Sequence, residues 1–403
     1  MPHSTSRLII AGWSTRAAAQ SAQRAGYDVV ACDVFLDADT ATAAGECRRI
    51  ADLREVVAAT TDLPPTDWLY TGGMENHPPI VAAMNRRHRL LGCDETVLRR
   101  VRDPRILQRV LADCLAPLPE MRSSVIGLPS DRAWLIKRRS SGGGLGVMPY
   151  LPGTSLPRGG YLQEFVAGVS CGATYLAADG DCRFMGLCRQ LTVLHDHDRP
   201  YLYGGSIGPL SIKPQAKAIL TQLGNRLASE FALRGLFGVD VILTPDGSIR
   251  TLEVNPRYTA SMELLERNSG RSLLRLHVQA CRDGLLPESI PNSPTIHGKR
   301  IIYADDQAAG EISADLAAVL VTESQRDLLP QLADLPTAGT RPQPGEPLLT
   351  ILADGATPDE VVERLNQQES RVRRLFAAPR QTVGDSASSR TGSRRRRPAG
   401  SGS

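Results

Sequence analysis

Two apolar runs joined by a turn tripeptide constrain this chain more than any other feature in it. The stretch "VDVILTPDGSIRTLEVNP" begins at Val239, and Pro-Asp-Gly between β-branched runs predicts an antiparallel hairpin. A connection from Pro245 to Ser248 sets Asp240 opposite Glu253, and the two-residue strand period puts Asn255 on the face of Glu253. Two carboxylates facing each other across a ladder repel, so their place among apolar neighbours calls for a cation. All-oxygen donors suit hard Mg²⁺ (or Mn²⁺) held jointly with phosphates. Arg257 follows one strand step on, where a guanidinium can clamp a phosphoryl group or a carboxylate. A plainer reading competes with this one: Glu253 as a solvent-facing strand end and Asn255-Pro256 as an ordinary turn.

Other segments weigh against the plainer reading. Of 47 basic residues only four are lysines, at 137, 213, 217 and 299, so arginine serves wherever a surface charge suffices. Lys137 ends the apolar run "AWLIK", and a loop of Ser140, Ser141, Gly142, Gly143, Gly144, Leu145 and Gly146 follows. Its backbone N–H groups, unobstructed by β-carbons, suit a flexible flap over phosphates. Further on, "YLQEFVAG" carries Gln163 and Glu164 into a hinge at Val166. Such a segment can supply the polar edge that an adenine ring needs beside an apolar slot.

Length and composition bound the rest. At 403 residues, 41% hydrophobic and 22% charged, the chain reads as a soluble protein of two to four folded units. It has no apolar run of about 18 residues and no signal-peptide pattern ahead of its first strand, so a cytoplasmic location without a membrane partner is expected. Its eight cysteines show no CxxC or other metal-ligand spacing and read as reduced, buried thiols. The net charge of +4 lies wholly in residues 381–403, a Ser/Gly/Arg-rich stretch with no apolar periodicity. A solvated tail is expected there. Nucleic acid is therefore not an expected partner, except through that tail.

The chain opens with a β-α-β unit: strand 7–11, helix about 14–25, strand 28–33. "DWLYTGG" and "RLLGC" suggest two further parallel strands. The Gly12-Trp13-Ser14 turn lacks a full GxGxxG, which favours a structural or substrate-binding role over dinucleotide binding. β-rich runs with Asp-Gly turns follow, then a helix over about 261–281. A last unit ends in a helix whose Thr357 and Glu360 have capping-box spacing.

Lys137 with its glycine loop, the Gln-Glu-Phe-Val hinge, and Asp240 followed thirteen positions later by Glu-x-Asn-Pro-Arg together resemble the ATP-grasp superfamily. The resemblance implies a mixed α/β and α+β protein. A Rossmann-like pre-ATP-grasp domain would span 1–110, a two-subdomain ATP-grasp fold 111–290 with its lid at about 120–168, a small C-terminal domain 291–380, and a disordered basic tail 381–403. It also implies an ADP-forming ligase that activates a small-molecule carboxylate as an acyl phosphate and passes it to an amine or thiol, with a homodimer compatible. In that scheme ATP is held by Lys137, Ser141, Gly142, Gly143, Gly144, Gln163, Glu164, Val166 and Ser170. Asp240, Glu253 and Asn255 ligate Mg²⁺, and of the catalytic pair Lys137 and Arg257 the lysine matches the one on the α/β-phosphates while Arg257 stabilises the transferring phosphoryl group. Gln190, Tyr203 and Ser206 are expected to wall the substrate pocket.

The last unit is similar to the C-terminal domain of purine-biosynthetic and biotin-carboxylase-like members. It is also similar to a group that accompanies tetrahydromethanopterin- and methanofuran-linked one-carbon metabolism. A carboxylating enzyme and a catalytically silent ATP-binding regulator are the alternatives. Two departures stand out: relatives carry Asp-Lys where this chain has "RDPR", leaving Arg102 or Arg105 to replace a lysine missing at Pro104, and Ser170 stands where relatives often place a ribose-binding carboxylate. His195, Asp196, His197 and Asp198 read as an exposed loop rather than a transition-metal site.

Overall fold

The computed structural model of the chain describes residues 6–193, 196, 198–306, 308–325 and 331–377. The basic stretch 381–403 lies outside them, as do His195 and His197. The opening β-α-β unit becomes a parallel five-stranded sheet in the order Glu46–Arg49, Asp28–Asp33, Arg7–Gly12, Asp67–Tyr70, Arg89–Leu90. Strands covered on both faces need unbroken apolar runs; Leu8, Ile9, Ile10, Val29, Val30 and Ala31 supply them and are buried. Strand order reverses between Arg7–Gly12 and Asp67–Tyr70, which opens a ligand crevice beyond their carboxyl ends.

A second, antiparallel sheet has eight strands in the order Ile249–Asn255, Gly235–Leu243, Val169–Ala178, Asp181–Thr192, Tyr203–Gly208, Ile296–Tyr303, Pro347–Gly355, Leu332–Ala333. It runs across residue 290 without a break, because Ile296–Tyr303 pairs with Tyr203–Gly208. The helix read over 261–281 is two helices, Met262–Ser269 and Leu273–Asp283. Gly270 parts them in the left-handed region, where a side chain would be strained. Leu274 and Val278 of the second helix share one core with Ala18, Ala19 and Ala22, so the two sheets are joined through packed helices.

A smaller sheet orders Met121–Arg122, Gly160–Glu164, Trp134–Arg138 and Met148–Pro149 around Trp134, Ile136 and Leu162. The closing helix, Pro358–Ala377, carries half of its cap as read: the Glu360 N–H donates to Thr357 Oγ1 at 3.2 Å, but Glu360 Oε2 accepts from the N–H of Ala356, one residue before the cap, at 2.8 Å. All eight cysteines are free. Among the described residues no helix is long and apolar enough to cross a membrane.

Candidate active site

The hairpin pairs Asp240 with Glu253, but by a different route from the one its sequence suggests. Leu243 closes on Ile249, so the connection is one residue longer, and a bulge that skips Leu252 restores the register. Thr244 is drawn into the turn because its N–H and its hydroxyl both donate to the Ser248 carbonyl, at 3.0 and 2.8 Å. Asn255 Nδ2 then donates to Asp240 Oδ2 at 3.1 Å and to Glu253 Oε1 at 3.4 Å. Gln190 Nε2 donates to Asp240 Oδ1 at 2.8 Å, and Gln190 in turn accepts from Ser170 Oγ at 2.7 Å. Burial and the Glu253 carboxylate push the Asp240 carboxyl up to about 7. Burial works against Glu253 as well, but Lys137 and Arg102 outweigh it and hold that carboxyl below its ordinary value. Two carboxylates and a carboxamide, crowded together and joined by amide N–H groups, are a donor set that fits a hard divalent cation.

The smaller sheet faces this cluster with Lys137 and Gln163. Lys137 Nζ donates to Gln163 Oε1 at 3.2 Å, whereas Gln163 Nε2 is buried without a partner among the described residues. A buried amide that leaves a donor unmade fits a site shaped for a ligand. Glu164 leaves the strand on the opposite face; its carboxylate accepts from the Glu120 N–H at 3.2 Å and lies 3.7 Å from Arg132. Val166 follows that strand, partly exposed. The glycine loop is folded down on the far wall. The Tyr203 N–H donates to the Gly143 carbonyl at 2.9 Å, and a β-carbon on Gly144 would meet the Tyr201 carbonyl oxygen at 1.7 Å. No other residue fits at Gly144, while Ser141 Oγ turns back to the Arg138 carbonyl at 2.9 Å. Tyr203 and Ser206 share a hydrogen bond of 2.7 Å on the adjoining strand.

Sequence reasoning missed the contribution of the first sheet. Glu75 and Asn76 sit in the turn after Asp67–Tyr70, and each holds an arginine. Glu75 Oε1 accepts from Arg257 Nε at 2.7 Å, and Asn76 Oδ1 from Arg102 at 3.0 Å. Burial opposes the Arg257 charge, but Glu75, with Asp240 and Glu253, raises the guanidinium above its ordinary value. Arg102 also donates to the Ser141 carbonyl at 2.9 Å and stands 4.0 Å from Glu253. Arg105 is exposed, so of the two candidates only Arg102 reaches this cluster. The acidic "TGGMEN" turn at a strand's carboxyl end was the available signal.

Beyond Arg257 a cavity of about 480 Å³ opens at the crevice of the first sheet, walled by Trp13, Phe35, Tyr203, Tyr303 and the glycine loop. Buried Arg16 forms one side and binds Glu263 and Asp334, with Lys299 donating to Glu263 at 2.8 Å. Segments far apart in sequence are thereby tied together at the cavity edge. In the loop read as exposed, the Asp196 carboxylate is taken by Arg199 at 2.7 Å.

The family model of the ATP-grasp domain matches residues 101–261, the stretch that carries Lys137, the glycine loop and the Asp240–Arg257 hairpin. The chain thus carries an ATP-grasp domain. No curated protein matches the sequence. The chain is similar in structure to the L-amino acid ligase from Bacillus licheniformis, with a TM-score of 0.66 and 15% identity over 91% of this chain and 97% of that one. It is also similar to the biotin carboxylase domain of Hydrogenobacter thermophilus 2-oxoglutarate carboxylase, in complex with MgADP, with a TM-score of 0.70 and 14% identity over 90% and 88% of the two chains. A third likeness is N5-carboxyaminoimidazole synthetase from Staphylococcus aureus complexed with ADP, at 0.63 and 16%, over 92% and 97%. The likeness in fold to these structures extends beyond the matched residues, over 90–92% of the chain.

Proposed function

We propose that the protein is an ATP-dependent, ADP-forming ligase that joins a small-molecule carboxylate to an amine or thiol. The observation that carries this reading is the convergence of Asp240, Glu253, Asn255 and Arg257 with Lys137 beneath a closed glycine loop. In the first step a carboxylate oxygen attacks the γ-phosphorus of ATP, the bond to the β,γ-bridging oxygen breaks, and ADP leaves. The amine nitrogen then attacks the acyl carbon, releasing inorganic phosphate and a proton. Mg²⁺ held by Asp240, Glu253 and Asn255 would neutralise phosphate charge during the transfer.

Lys137 and the N–H groups of Ser141 to Gly144 hold phosphate oxygens in this reading, and Gln163, with the Val166 backbone, borders the adenine. Arg257, fixed by Glu75, meets the developing charge on the phosphoryl group. Ser170 steadies Asp240 through Gln190. The similarity of the last segment makes one-carbon cofactor assembly the first pathway to test. The protein is to be incubated with MgATP and pooled cell metabolites, with ADP and new masses measured together. Substrate-dependent ADP release with an ATP-dependent product supports the ligase; tight ATP binding without turnover supports the regulator instead.

A further inference from the structure

Trp13 and Phe35 are 40% and 41% exposed, in a chain with only 4% aromatic residues. The other two tryptophans, Trp68 and Trp134, are buried. Both exposed rings stand at the carboxyl ends of neighbouring parallel strands and face the cavity described above. Their presentation is built rather than incidental. Asp33, fully buried, accepts from the Thr15 N–H and hydroxyl at 2.6 and 2.7 Å and from the Leu36 N–H at 2.7 Å. One carboxylate therefore fixes both turns, the one that follows Trp13 and the one that follows Phe35. Both of its oxygens are engaged inside the fold and fully buried, out of reach of a nucleotide ribose, the partner an acid at this strand end would otherwise take.

The second turn carries a cost. Leu36 sits at φ 52°, a conformation that leucine adopts only when its surroundings impose it. On the first turn, the Trp13 indole lies against Gly73, where an added β-carbon would come within 3.0 Å of the ring. A flat side chain is thus laid over bare backbone, at the edge of the cavity. The sheet itself is closed by other residues and does not need these two rings.

Gly72 lies against the Arg257 guanidinium, its missing β-carbon 3.8 Å from Cζ, and Gly73 lies against Trp13. The ring surface and the phosphoryl end of the site are therefore one residue apart along this turn. We infer that the corner formed by Trp13 and Phe35 takes a flat apolar ring carried on a short linker by the acceptor amine. The word acceptor rests on the ligase reading; the ring subsite rests on the geometry alone. Aromatic faces select flat partners over aliphatic ones of equal charge, by contact area and by ring geometry.

The test uses the full chain with benzylamine and propylamine as probes, titrated calorimetrically with and without saturating MgADP. Benzylamine is expected to bind at least about tenfold more tightly and to change the fluorescence of Trp13, the one exposed tryptophan. Trp13→Ala and Phe35→Ala should each weaken benzylamine about tenfold while propylamine and MgADP binding stay as they are. Both side chains lie outside the packed core, so these variants should fold. Equal affinity for the two amines, or unaltered benzylamine binding in both variants, overturns the inference. MgADP binding without a ring preference leaves the ligase reading standing and removes the subsite. A ring preference in a protein that MgADP neither binds nor stabilises leaves the subsite and removes the ligase.

Discussion

Replacing Glu75 by alanine should lower both stability and turnover, by amounts that its surroundings set. Glu75 is 2% exposed and accepts from Arg257, whose side chain is 13% exposed. Removing one member of a buried ion pair costs about 3–5 kcal/mol, because the other charge is left without a partner. Three features favour the lower end. Arg257 borders the cavity, where water reaches it, and it keeps contacts to the Tyr258 carbonyl and Asn255 Oδ1 at 3.2 and 3.5 Å. Glu75 Oε2 is itself buried without a partner among the described residues, so the wild-type pair is incompletely satisfied. A loss of about 3 kcal/mol is therefore expected for Glu75→Ala. Glu75→Gln, which keeps shape and an acceptor, should lose about half of that. Folding should survive, since domains hold roughly 5–15 kcal/mol. Urea unfolding measures the stability loss, and a double-mutant cycle with Arg257→Met isolates the pair. Turnover should fall about 10²–10³-fold as the guanidinium loses its aim. A Glu75→Ala loss under about 1 kcal/mol, with no coupling in the cycle, would refute the reasoning.

Three further outcomes follow from the same geometry. Glu253→Gln should reduce turnover about 10²–10³-fold while stability without ligand holds, and Mg²⁺ with ATP should protect the variant from thermal unfolding far less than the wild type; equal protection would remove Glu253 from the metal site. Arg102→Ala should raise the ATP concentration needed for half-maximal turnover, and Arg105→Ala should not; a matching change in both would argue for a general charge effect. His277 is buried between the Leu236 N–H at 2.8 Å and the Leu91 carbonyl at 3.0 Å, and burial pulls it down to about 4. The unfolded chain, with an ordinary histidine value near 6.5, then binds more protons between those two values. Stability from this group is full above pH about 6.5 and falls, by about 3 kcal/mol, as pH drops toward 4, which urea titrations at stepped pH will read as a falling midpoint.

How much of this was legible in the sequence depended on whether the interaction is local. The Asp240–Glu253 pairing follows from a turn tripeptide and the strand period, both short-range rules. Even so, the longer connection and the bulge at Leu252 are two unread errors that cancel, because neither a turn's closing pair nor a skipped residue leaves a mark in composition. Gln163 and Glu164 are adjacent, so the strand period must send them to opposite faces; reading both onto one adenine edge asks the hinge backbone to do more than the strand does. Glu75 lies 182 residues from Arg257 and Asp334 lies 318 from Arg16. Partners at such distances are set by packing of whole sheets, to which periodicity is blind. Trp13 and Phe35 look like core residues in any hydropathy pattern, and only the turns fixed by Asp33 show that they are held out of the core.

The lysine missing at Pro104 has a consequence that goes beyond charge replacement. Arg102 Nη2 lies within hydrogen-bond reach of the Asn76 side chain at 3.0 Å, the Ser141 carbonyl at 2.9 Å and the Arg139 carbonyl at 3.3 Å, while Nη1 faces Glu253 at 4.0 Å. It therefore joins the first sheet, the foot of the glycine loop and the acidic cluster in a single side chain. An ammonium is a single donor atom and must choose between those oxygens and the Glu253 carboxylate, whereas the two terminal nitrogens of the planar guanidinium serve both. Arg102→Lys should keep the charge yet leave the loop untied. The ATP requirement should stay raised, and amide hydrogens across residues 140–146 should exchange faster than in the wild type, with Arg102→Ala no worse for the loop. Full recovery of both ATP dependence and loop protection by lysine would show that Arg102 serves as a point charge alone, and that the glycine loop is closed by its contacts with Tyr201 and Tyr203.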